Sequence, residues 1–237
     1  MKLINIVRKI INPIKLDLKI YPNLDLRRRK KLLNHYKITK IIDVGANSGQ
    51  YASEMFDLDF KGEIISFEPV KSTFDSLEKK TKSTNNWKAF NFGLGDKNEE
   101  LEINLSKNTY SSSLLHILPS HVKSAPDSKI VGNETVTIKT LDSVFNDFVN
   151  QKDIVLLKID VQGFEKNVLE GAEESLKKIH GIQIEMSIEE LYKEEVLFLD
   201  MITYLNSFGF HLHSLENGFY NEETGKLLQV DGLFFKH

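Results

Sequence analysis

Short runs of hydrophobic residues alternate with longer amphipathic stretches from residue 38 to the end of the chain. The apolar runs predict strands at residues 40–44, 63–67, 88–93, 154–159, 181–186, 210–215 and 229–235. Helix-compatible segments lie between them, at residues 50–58, 71–82, 141–149, 165–178 and 189–208. Nearly continuous apolar strands separated by helices are typical of a parallel sheet with helices on both faces. We therefore predict an α/β fold built on a seven-stranded, mostly parallel sheet.

The pattern departs from simple strand–helix alternation in two places. No helix separates the last two strands, which the turn-rich stretch ENGFYNEETGK (216–226) joins, so the final strand should run antiparallel. Alternation in LEINL (101–105) and TVTIKT (135–140) predicts an inserted strand pair before the fourth strand. The pair flanks a loop rich in Ser, His and Pro, and a loop of this length is usually functional or disordered.

The charge of the chain is distributed unevenly. The net charge is -3, yet residues 1–40 hold twelve Lys or Arg against two acids, and the remainder holds 19 against 32. Residues 1–37 are predicted to be a basic helical extension in which apolar residues recur at helical spacing, and residues 38–237 one domain. The extension either packs on the domain with its charges in water or rests on an anionic membrane face through residues 1–31.

Composition and charge narrow the classes of function. The chain has no Cys, which excludes thiolate chemistry and disulfides. No secretory signal pattern and no apolar run of about 20 residues is present, so we expect a cytoplasmic protein, peripheral to the inner face of a membrane if the extension binds lipid. The acidic body argues against nucleic acid as a partner. The chemistry must use oxygen and nitrogen groups.

The ends of the predicted strands carry the candidate chemistry. Open parallel sheets bind ligands at the carboxyl ends of their strands. The first strand runs into Asp43-Val44-Gly45-Ala46-Asn47-Ser48-Gly49, a strand-to-helix turn that lacks both the middle glycine of G-x-G-x-x-G and the Gly-Lys-Ser/Thr of a P-loop. An acid beside a turn without phosphate-binding features suits a ligand that carries an amino group or positive charge.

Acids or amides also follow the other strands. Glu68, before the strand-ending Pro69, is placed to accept hydrogen bonds from the ribose hydroxyls of an adenosine. Asn91 or Asp96 could bond an adenine amino group, and Asp160 and Glu185 follow the next two strands. A single acid at such a position is more often a helix cap or an ion-pair partner. Several acids converging on one crevice favour a ligand site.

Together, the motifs resemble those of a known family. The segments DVGANSGQY, FEP, LKIDVQGFEKNVLEGA and IEMS, with TIKTLDSVF before the fourth strand, resemble the FkbM-type branch of the class I S-adenosylmethionine-dependent methyltransferases over roughly residues 38–215. The resemblance implies a Rossmann-like fold and S-adenosylmethionine as cofactor. Many relatives have D-V-E-G in the fourth-strand motif, whereas this chain has Gln162 in place of the glutamate. The identity of a general base is therefore left open.

The resemblance also implies roles for the strand-end residues. It assigns the methionine end of the cofactor to Asp43, Gly45, Asn47 and Gly49, with Tyr51 either reaching the ligand or packing at a helix start. Further cofactor-binding candidates are Glu68 at the ribose, the adjacent Pro69, which fixes the turn, and Asn91 or Asp96 at the adenine.

The catalytic candidates are acids at the fourth and fifth strand ends. Methyl transfer to a hydroxyl needs alignment of the acceptor and a group that removes its proton. Asp160 is the first candidate base, Glu185 the second and Glu165 the third, although Glu165 is expected to face solvent on a helix. Asp160 could instead bind the cofactor's amino group or cap the following helix. A divalent cation on Asp160 and Glu185 is the less favoured alternative, and no metal site is predicted.

The acceptor candidates are two loop histidines and an amide. His116 and His121 lie where a lid over the acceptor is expected, although loop histidines are often exposed and idle, and Gln162 lies beside Asp160. Kinship implies O-methylation of a sugar, glycan-linked or natural-product hydroxyl on a small-molecule or glycan acceptor. The alternatives are a non-catalytic adenosyl-binding scaffold protein and an NAD-dependent oxidoreductase. The sequence leaves the oligomeric state undetermined.

Overall fold

The computed structural model describes residues 21–236. The strands in this range are β1 (Lys40–Val44), β2 (Glu63–Phe67), β3 (Trp87–Phe90), β4 (Gly93–Leu94), β5 (Glu99–Ser106), β6 (Ile130–Lys139), β7 (Val155–Ile159), β8 (Ile179–Ser187), β9 (His211–Asn217) and β10 (Gln229–Phe235). The α-helices are α1 (Leu24–His35), α2 (Gln50–Asp57), α3 (Lys71–Thr81), α4 (Pro119–Ser124), α5 (Leu141–Phe148), α6 (Glu165–Glu170), α7 (Glu173–Leu176) and α8 (Phe198–Ser207). A 3₁₀ turn, Pro126–Ser128, follows α4.

The large sheet has seven strands in the order β3-β2-β1-β7-β8-β10-β9. Its neighbours from β3 to β8 pair in parallel, and β10 runs antiparallel to both β8 and β9. This arrangement confirms the predicted mostly parallel sheet with an antiparallel final strand. The strand order reverses between β1 and β7, and in open α/β sheets a crevice forms at the carboxyl ends of the strands at such a point.

Helices cover both faces of this sheet, because successive side chains of a buried strand point to opposite faces. On one face Ile41, Ile64 and Leu156 pack with apolar residues of α1, α2 and α3. On the other face Ile42, Ile65 and Leu157 pack with apolar residues of α5, α6, α7 and α8. Neighbouring strand residues therefore belong to different hydrophobic clusters, which explains why the strands are apolar throughout.

A smaller sheet consists of β4, β6 and β5. Strands β5 and β6 form the predicted strand pair, and they run antiparallel. Gly93 and Leu94 pair in parallel with Ile138 and Lys139 of β6. The predicted strand at 88–93 is therefore wrong at its end: β3 stops at Phe90, and the chain then leaves the large sheet to join the small one.

Two predicted helices are shorter than their patterns suggested. The segment 189–208 is helical only from Phe198, since Glu194 has a positive φ of 65° and the Glu195 carboxylate accepts hydrogen bonds from the backbone N–H groups of Leu191 and Tyr192. The segment 165–178 is divided at Gly171, where a Cβ would lie 1.9 Å from the carbonyl oxygen of Gly95. The close approach of the Gly95 backbone to Gly171 therefore accounts for the interruption between α6 and α7.

Helix α1 packs against the large sheet through Leu26, Arg29 and Leu33, which are buried, while Arg27, Arg28 and Lys31 are exposed. Residues 1–20, which include the amphipathic head and most of the segment proposed to contact a membrane, lie outside the described residues. Within residues 21–236, no helix has the length and hydrophobicity needed to cross a bilayer.

Candidate functional site

A cavity with a volume of about 240 Å³ opens at the carboxyl ends of β1, β2, β7 and β8. This volume lies just below the range of about 300–1,000 Å³ that is usual for small-molecule sites. Sequence-predicted residues on its wall are Gly45, Asn47, Glu68, Pro69, Asp160, Gln162 and Glu185. The structure therefore brings together residues of four strand ends that are up to 140 positions apart in the chain.

The glycines of the first turn are required by the protein's own packing. Gly45 has φ +72°, and a Cβ there would lie 1.9 Å from the carbonyl oxygen of Asp160. Gly49 has φ +83° at the start of α2, and its Cβ would meet the Trp87 ring at 2.6 Å. Side chains at either position would separate β1 from β7 or displace Trp87. Gly45 lies on the cavity wall, whereas Gly49 does not.

Asp43 lies beneath the cavity and not on its wall. The side chain is fully buried, accepts a hydrogen bond from Ser66 Oγ at 3.0 Å, and lies 3.2 Å from Lys158 Nζ. Burial would lower the pKa of Lys158, but the nearby carboxylates of Asp43 and Asp160 raise it above its ordinary value. The strand-end acid of the first motif therefore has a cationic partner within the protein.

Glu68 is a buried carboxylate on the cavity wall. Its Oε2 accepts the backbone N–H of Asn47 at 2.9 Å, and its Oε1 accepts that of Val70, also at 2.9 Å. Burial raises the pKa of Glu68 to about 7, although both backbone hydrogen bonds oppose the rise. Each oxygen keeps a further lone pair for a ligand hydroxyl.

Three predicted cofactor residues lie away from the cavity wall. Tyr51 donates its hydroxyl to Gln183 Oε1 at 2.9 Å, and Asn91 donates to the carbonyl oxygens of Glu68 and Pro69 at 3.0 and 2.9 Å. Asp96 accepts from Asn167 Nδ2 at 3.2 Å. Each side chain therefore has a partner within the fold, and a direct role for these residues in cofactor binding stays a prediction.

The small sheet and its loop supply walls that the motifs did not identify. Apolar residues on this side are Val70, Leu94, Ile103, Ile138 and Phe164. Ile103 and Ile138 belong to the segments LEINL and TVTIKT, in which apolar and polar residues alternate. This alternation indicates that the two isoleucines face the interior of the protein. The loop after β5 adds Thr109, Tyr110, Ser112 and Leu114. Asn47 Nδ2 donates to the carbonyl oxygen of Thr109 at 3.2 Å and thereby ties this loop to the glycine turn.

The amide of Gln162 bridges the two candidate bases. Its Nε2 donates to Asp160 Oδ1 at 2.9 Å and to Glu185 Oε2 at 2.8 Å. Burial, followed by the charges of Asp160 and Asp231, raises the pKa of Glu185 well above its ordinary value. The cavity wall therefore holds a carboxylate pair with one shared amide donor.

Glu165 is buried, so the expectation that it faces solvent is wrong. Its Oε1 accepts the backbone N–H groups of Val161 and Gly163 at 3.0 and 3.2 Å, and burial raises its pKa to about 7. It closes the turn that carries Gln162. Within residues 21–236, no group of three or more His, Asp or Glu side chains is arranged to hold a metal ion.

The two loop histidines have different surroundings, and neither lies on the cavity wall. His116 is exposed. His121 is buried, with its ring 5.1 Å from that of Tyr192 and 5.4 Å from that of Phe219. Burial lowers the pKa of His121 to about 4, so the ring is neutral near pH 7. Contact of either histidine with an acceptor stays a prediction.

Comparison with known proteins agrees with this arrangement. The structure of M. capricolum TrmK in complex with S-adenosyl-homocysteine matches with a TM-score of 0.50 and 10% identity, over 91% of this chain and 69% of that one. The fold is thus the Rossmann-like fold of S-adenosylmethionine-dependent methyltransferases.

The sequence identifies the family within this class. The model of the methyltransferase FkbM domain matches residues 43–212, and the chain belongs to that family of methyltransferases. The 2-O-methyltransferase NoeI of Sinorhizobium fredii is 25% identical over 174 residues, which are 71% of each protein. Methyltransferase 1 of Beauveria bassiana is 27% identical over 182 residues, covering 72% of this chain and 71% of that protein.

Proposed function

We propose that this methyltransferase transfers the methyl group of S-adenosylmethionine to a hydroxyl of a sugar, glycan or similar small molecule. The observation that carries the proposal is the carboxylate pair Asp160 and Glu185 on the cavity wall, bridged by Gln162. Acceptors with a hydroxyl need a base, and no base is needed for a neutral amine to react. The similarity to a 2-O-methyltransferase supports the same acceptor atom.

The cavity has donor groups and walls that fit S-adenosylmethionine. Glu68 would accept the ribose hydroxyls through its remaining lone pairs, as acids after the second strand do in nucleotide folds. Gly45 and Asn47 would hold the methionine end, and the apolar side formed by Val70, Leu94, Ile138 and Phe164 would enclose the adenine ring. When bound, the cofactor supplies a methyl group on a sulfonium centre, whose leaving group is a neutral thioether.

The two carboxylates would orient the acceptor hydroxyl and take its proton. The raised pKa of Glu185 makes it a stronger base than an ordinary carboxylate, closer to the pH at which an enzyme works. Asp160 is partly exposed and can accept a hydrogen bond from the same hydroxyl.

The electrostatics of the wall favour a neutral acceptor. None of the described residues that line the cavity is Lys, Arg or His, whereas three are acids: Glu68, Asp160 and Glu185. An acceptor with a phosphate or carboxylate group would meet like charge there. Tyr110 lines the same cavity with 62% of its surface exposed, so its ring is available at the mouth to stack against a sugar ring.

Cofactor binding is tested by calorimetric titration of the full chain with S-adenosylmethionine, S-adenosyl-homocysteine and NAD. We expect binding of the two adenosyl ligands, little binding of NAD, and a loss of about tenfold or more in Glu68→Ala. Glu78→Ala, an exposed acid on α3, is the matched control and should bind as the unaltered chain does. Tighter binding of NAD would instead support the oxidoreductase alternative.

The acceptor is tested by transfer of a radiolabelled methyl group to neutral and acidic oligosaccharides. Label in an alkali-stable ether on a neutral sugar is the expected product. Asp160→Asn and Glu185→Gln should each lower the rate at least tenfold while cofactor binding persists. Cofactor binding without transfer to any acceptor would support the scaffold alternative, and full activity in both variants would refute the assignment of the base.

A further inference from the structure

Tyr192 lies in the irregular segment between β8 and α8 and has no solvent-exposed surface. No motif or strand end marks it in the sequence. Burial raises the pKa of its hydroxyl above the ordinary value, so the group keeps its proton and acts as a donor. The hydroxyl donates to Gln162 Oε1 at 2.6 Å.

The surrounding chain fixes the position of Tyr192. The carboxylate of Glu195 accepts the backbone N–H groups of Leu191 and Tyr192 and also the hydroxyl of Ser187 at 2.7 Å. Tyr192 forms an antiparallel bridge with Ile117, and the buried ring of His121 packs edge-on against it. The hydroxyl is thus presented to Gln162 from a fixed backbone and a packed ring.

The amide of Gln162 has a hydrogen bond at each end. Tyr192 holds its oxygen, while its nitrogen donates to Asp160 and to Glu185. Ser113 Oγ donates to the backbone carbonyl oxygen of Gln162 at 2.6 Å and fixes the main chain at a residue whose φ is +57°. A donor at the amide oxygen polarises the amide and strengthens its N–H groups as donors.

We propose that Tyr192 is a positioning residue for the carboxylate pair: its hydroxyl fixes the Gln162 amide, which holds Asp160 and Glu185 in one arrangement on the cavity wall. The inference rests on the proposed function for its catalytic meaning, because that pair is the proposed base. Tyr192 itself is not on the cavity wall and acts only through Gln162.

The charge state of Glu185 reports on this relay, the chain of hydrogen bonds from Tyr192 through Gln162 to Glu185. Three acids, Asp160, Asp231 and Glu165, act on Glu185 to disfavour its ionised form, and the cation of Lys158 favours it. The donor N–H groups that reach its carboxylate are those of Gln162 and of Gln229, at 2.8 and 2.9 Å. A hydrogen bond to the ionised form lowers a carboxyl pKa. Weakening the bond from Gln162 therefore moves the titration of Glu185 to higher pH.

The experiment is a ¹³C NMR titration of the full chain labelled at the glutamate carboxyl carbon, with the Glu185 signal identified by its loss in Glu185→Gln. We expect Glu185 to titrate about one pH unit higher in Tyr192→Phe. Tyr36→Phe is the matched control, because the Tyr36 hydroxyl also has a side-chain partner, His213 Nε2 at 2.7 Å. Its ring stacks on Phe235, which lies four residues along β10 from Asp231, the residue paired with Glu185. In Tyr36→Phe, Glu185 should titrate at the same pH as in the unaltered chain.

A second variant separates the relay from a general loosening of the fold. Gln162→Leu removes the bridging amide and should also raise the titration of Glu185, and Tyr192→Phe added to it should cause no further change. An unchanged Glu185 titration in Tyr192→Phe, or an equal further shift in the Gln162→Leu background, overturns the proposal. The NMR titration needs no acceptor. Failure to detect methyl transfer would therefore refute the proposed function but would leave the test of Tyr192 as a positioning residue unaffected.

Discussion

Gly163 and Tyr192 are so close that a Cβ on Gly163 would lie 2.8 Å from Cβ of Tyr192. Gly163 also has φ +97°, a conformation that residues with a side chain rarely adopt. The glycine of the VQGFE segment is thus required by a tyrosine 29 positions later in the chain. The contact places the Gln162 turn against the segment that carries Tyr192.

Gly163→Ala is expected to destabilise the protein by roughly 3 kcal/mol, because the positive φ costs about 1–3 kcal/mol and the new methyl group displaces Tyr192. Gly209→Ala is the matched control: Gly209 has φ +80° but no atom within 4 Å of the Cβ position. It should cost about 1 kcal/mol. Urea unfolding of both variants measures the difference, and equal losses would show that Tyr192 does not restrict residue 163.

Cofactor affinity should depend on pH through Glu68. Its pKa of about 7 means that the carboxylate is mostly ionised at pH 8 and mostly protonated at pH 6. If the ionised form accepts the ribose hydroxyls, the dissociation constant for S-adenosyl-homocysteine should rise about tenfold as pH falls from 8 to 6. Titration calorimetry at three pH values checks this. The same dependence in Glu68→Gln would assign it to another group.

Acid stability should depend on His121. Its pKa of about 4 in the fold lies below the ordinary value of 6.5, so the unfolded chain binds the proton more readily between these values. The stability contributed by the neutral ring is present above about pH 6.5 and is lost as pH falls toward 4. Between pH 7 and pH 4.5 the loss amounts to about 2 kcal/mol.

The variant His121→Phe should remove this part of the pH dependence, since phenylalanine does not titrate and fits between Tyr192 and Phe219. His116→Phe, at an exposed histidine of the same segment, is the control and should leave the dependence unchanged. Urea unfolding of the wild type and both variants at pH 7 and pH 4.5 provides the free energies of unfolding to compare. A wild-type slope in His121→Phe would contradict the prediction.

Arg29 should contribute strongly to stability. Its guanidinium donates from Nε to Glu216 Oε1 at 3.2 Å, from Nη2 to Glu216 Oε2, and from Nη1 to Glu54 Oε2 at 2.8 Å. Arg29→Ala leaves the buried Glu216 without its partner, at an expected cost of about 3–5 kcal/mol. Arg28→Ala, which removes an exposed pair with Asp25, should cost less than about 1 kcal/mol. Thermal or urea unfolding distinguishes the two.

Tyr110 should affect acceptor binding alone. With a sugar acceptor found in the transfer assay, Tyr110→Ala is expected to raise KM for the acceptor about tenfold through loss of ring stacking of roughly 1 kcal/mol or more, with kcat unchanged. Tyr110→Phe should retain the wild-type value. Tyr220→Ala, at an exposed tyrosine away from the cavity wall, serves as the control. A fall in kcat without a change in KM would contradict this role.

The sequence predicted the large sheet well because its signal is local. Buried parallel strands are apolar at nearly every position, so β1, β2 and β7 could be placed almost to the residue. The helix predicted over 189–208 is wrong at 189–197, where the residues are helix-compatible but the chain is irregular. The turn in this segment depends on hydrogen bonds from the backbone to the carboxylate of Glu195. Residue propensities do not predict such hydrogen bonds.

The sequence predicts which strand ends form the site, but it does not predict the hydrogen bonds and ion pairs that connect the side chains there. Glu68, Asp160 and Glu185 were placed on one crevice by topology alone. The partner of Asp43 is Lys158, which depends on the register of β1 against β7, and the partner of Gln162 is Tyr192, which depends on an irregular segment. Pairings between distant residues leave no periodic pattern in one sequence.

The pairing of Arg29 with Glu216 has a consequence for synthesis of the chain. The two residues are 187 positions apart, so α1 leaves the ribosome long before strand β9 exists. At about 5–20 residues per second, roughly 10–40 s pass between the synthesis of Arg29 and the synthesis of Glu216, its buried carboxylate partner. During that interval the apolar side of α1, with Leu26 and Leu33, lacks the β10 residues Leu233 and Phe235 of its hydrophobic cluster. Helix α1 therefore gains its full set of contacts only after the last two strands have been synthesised.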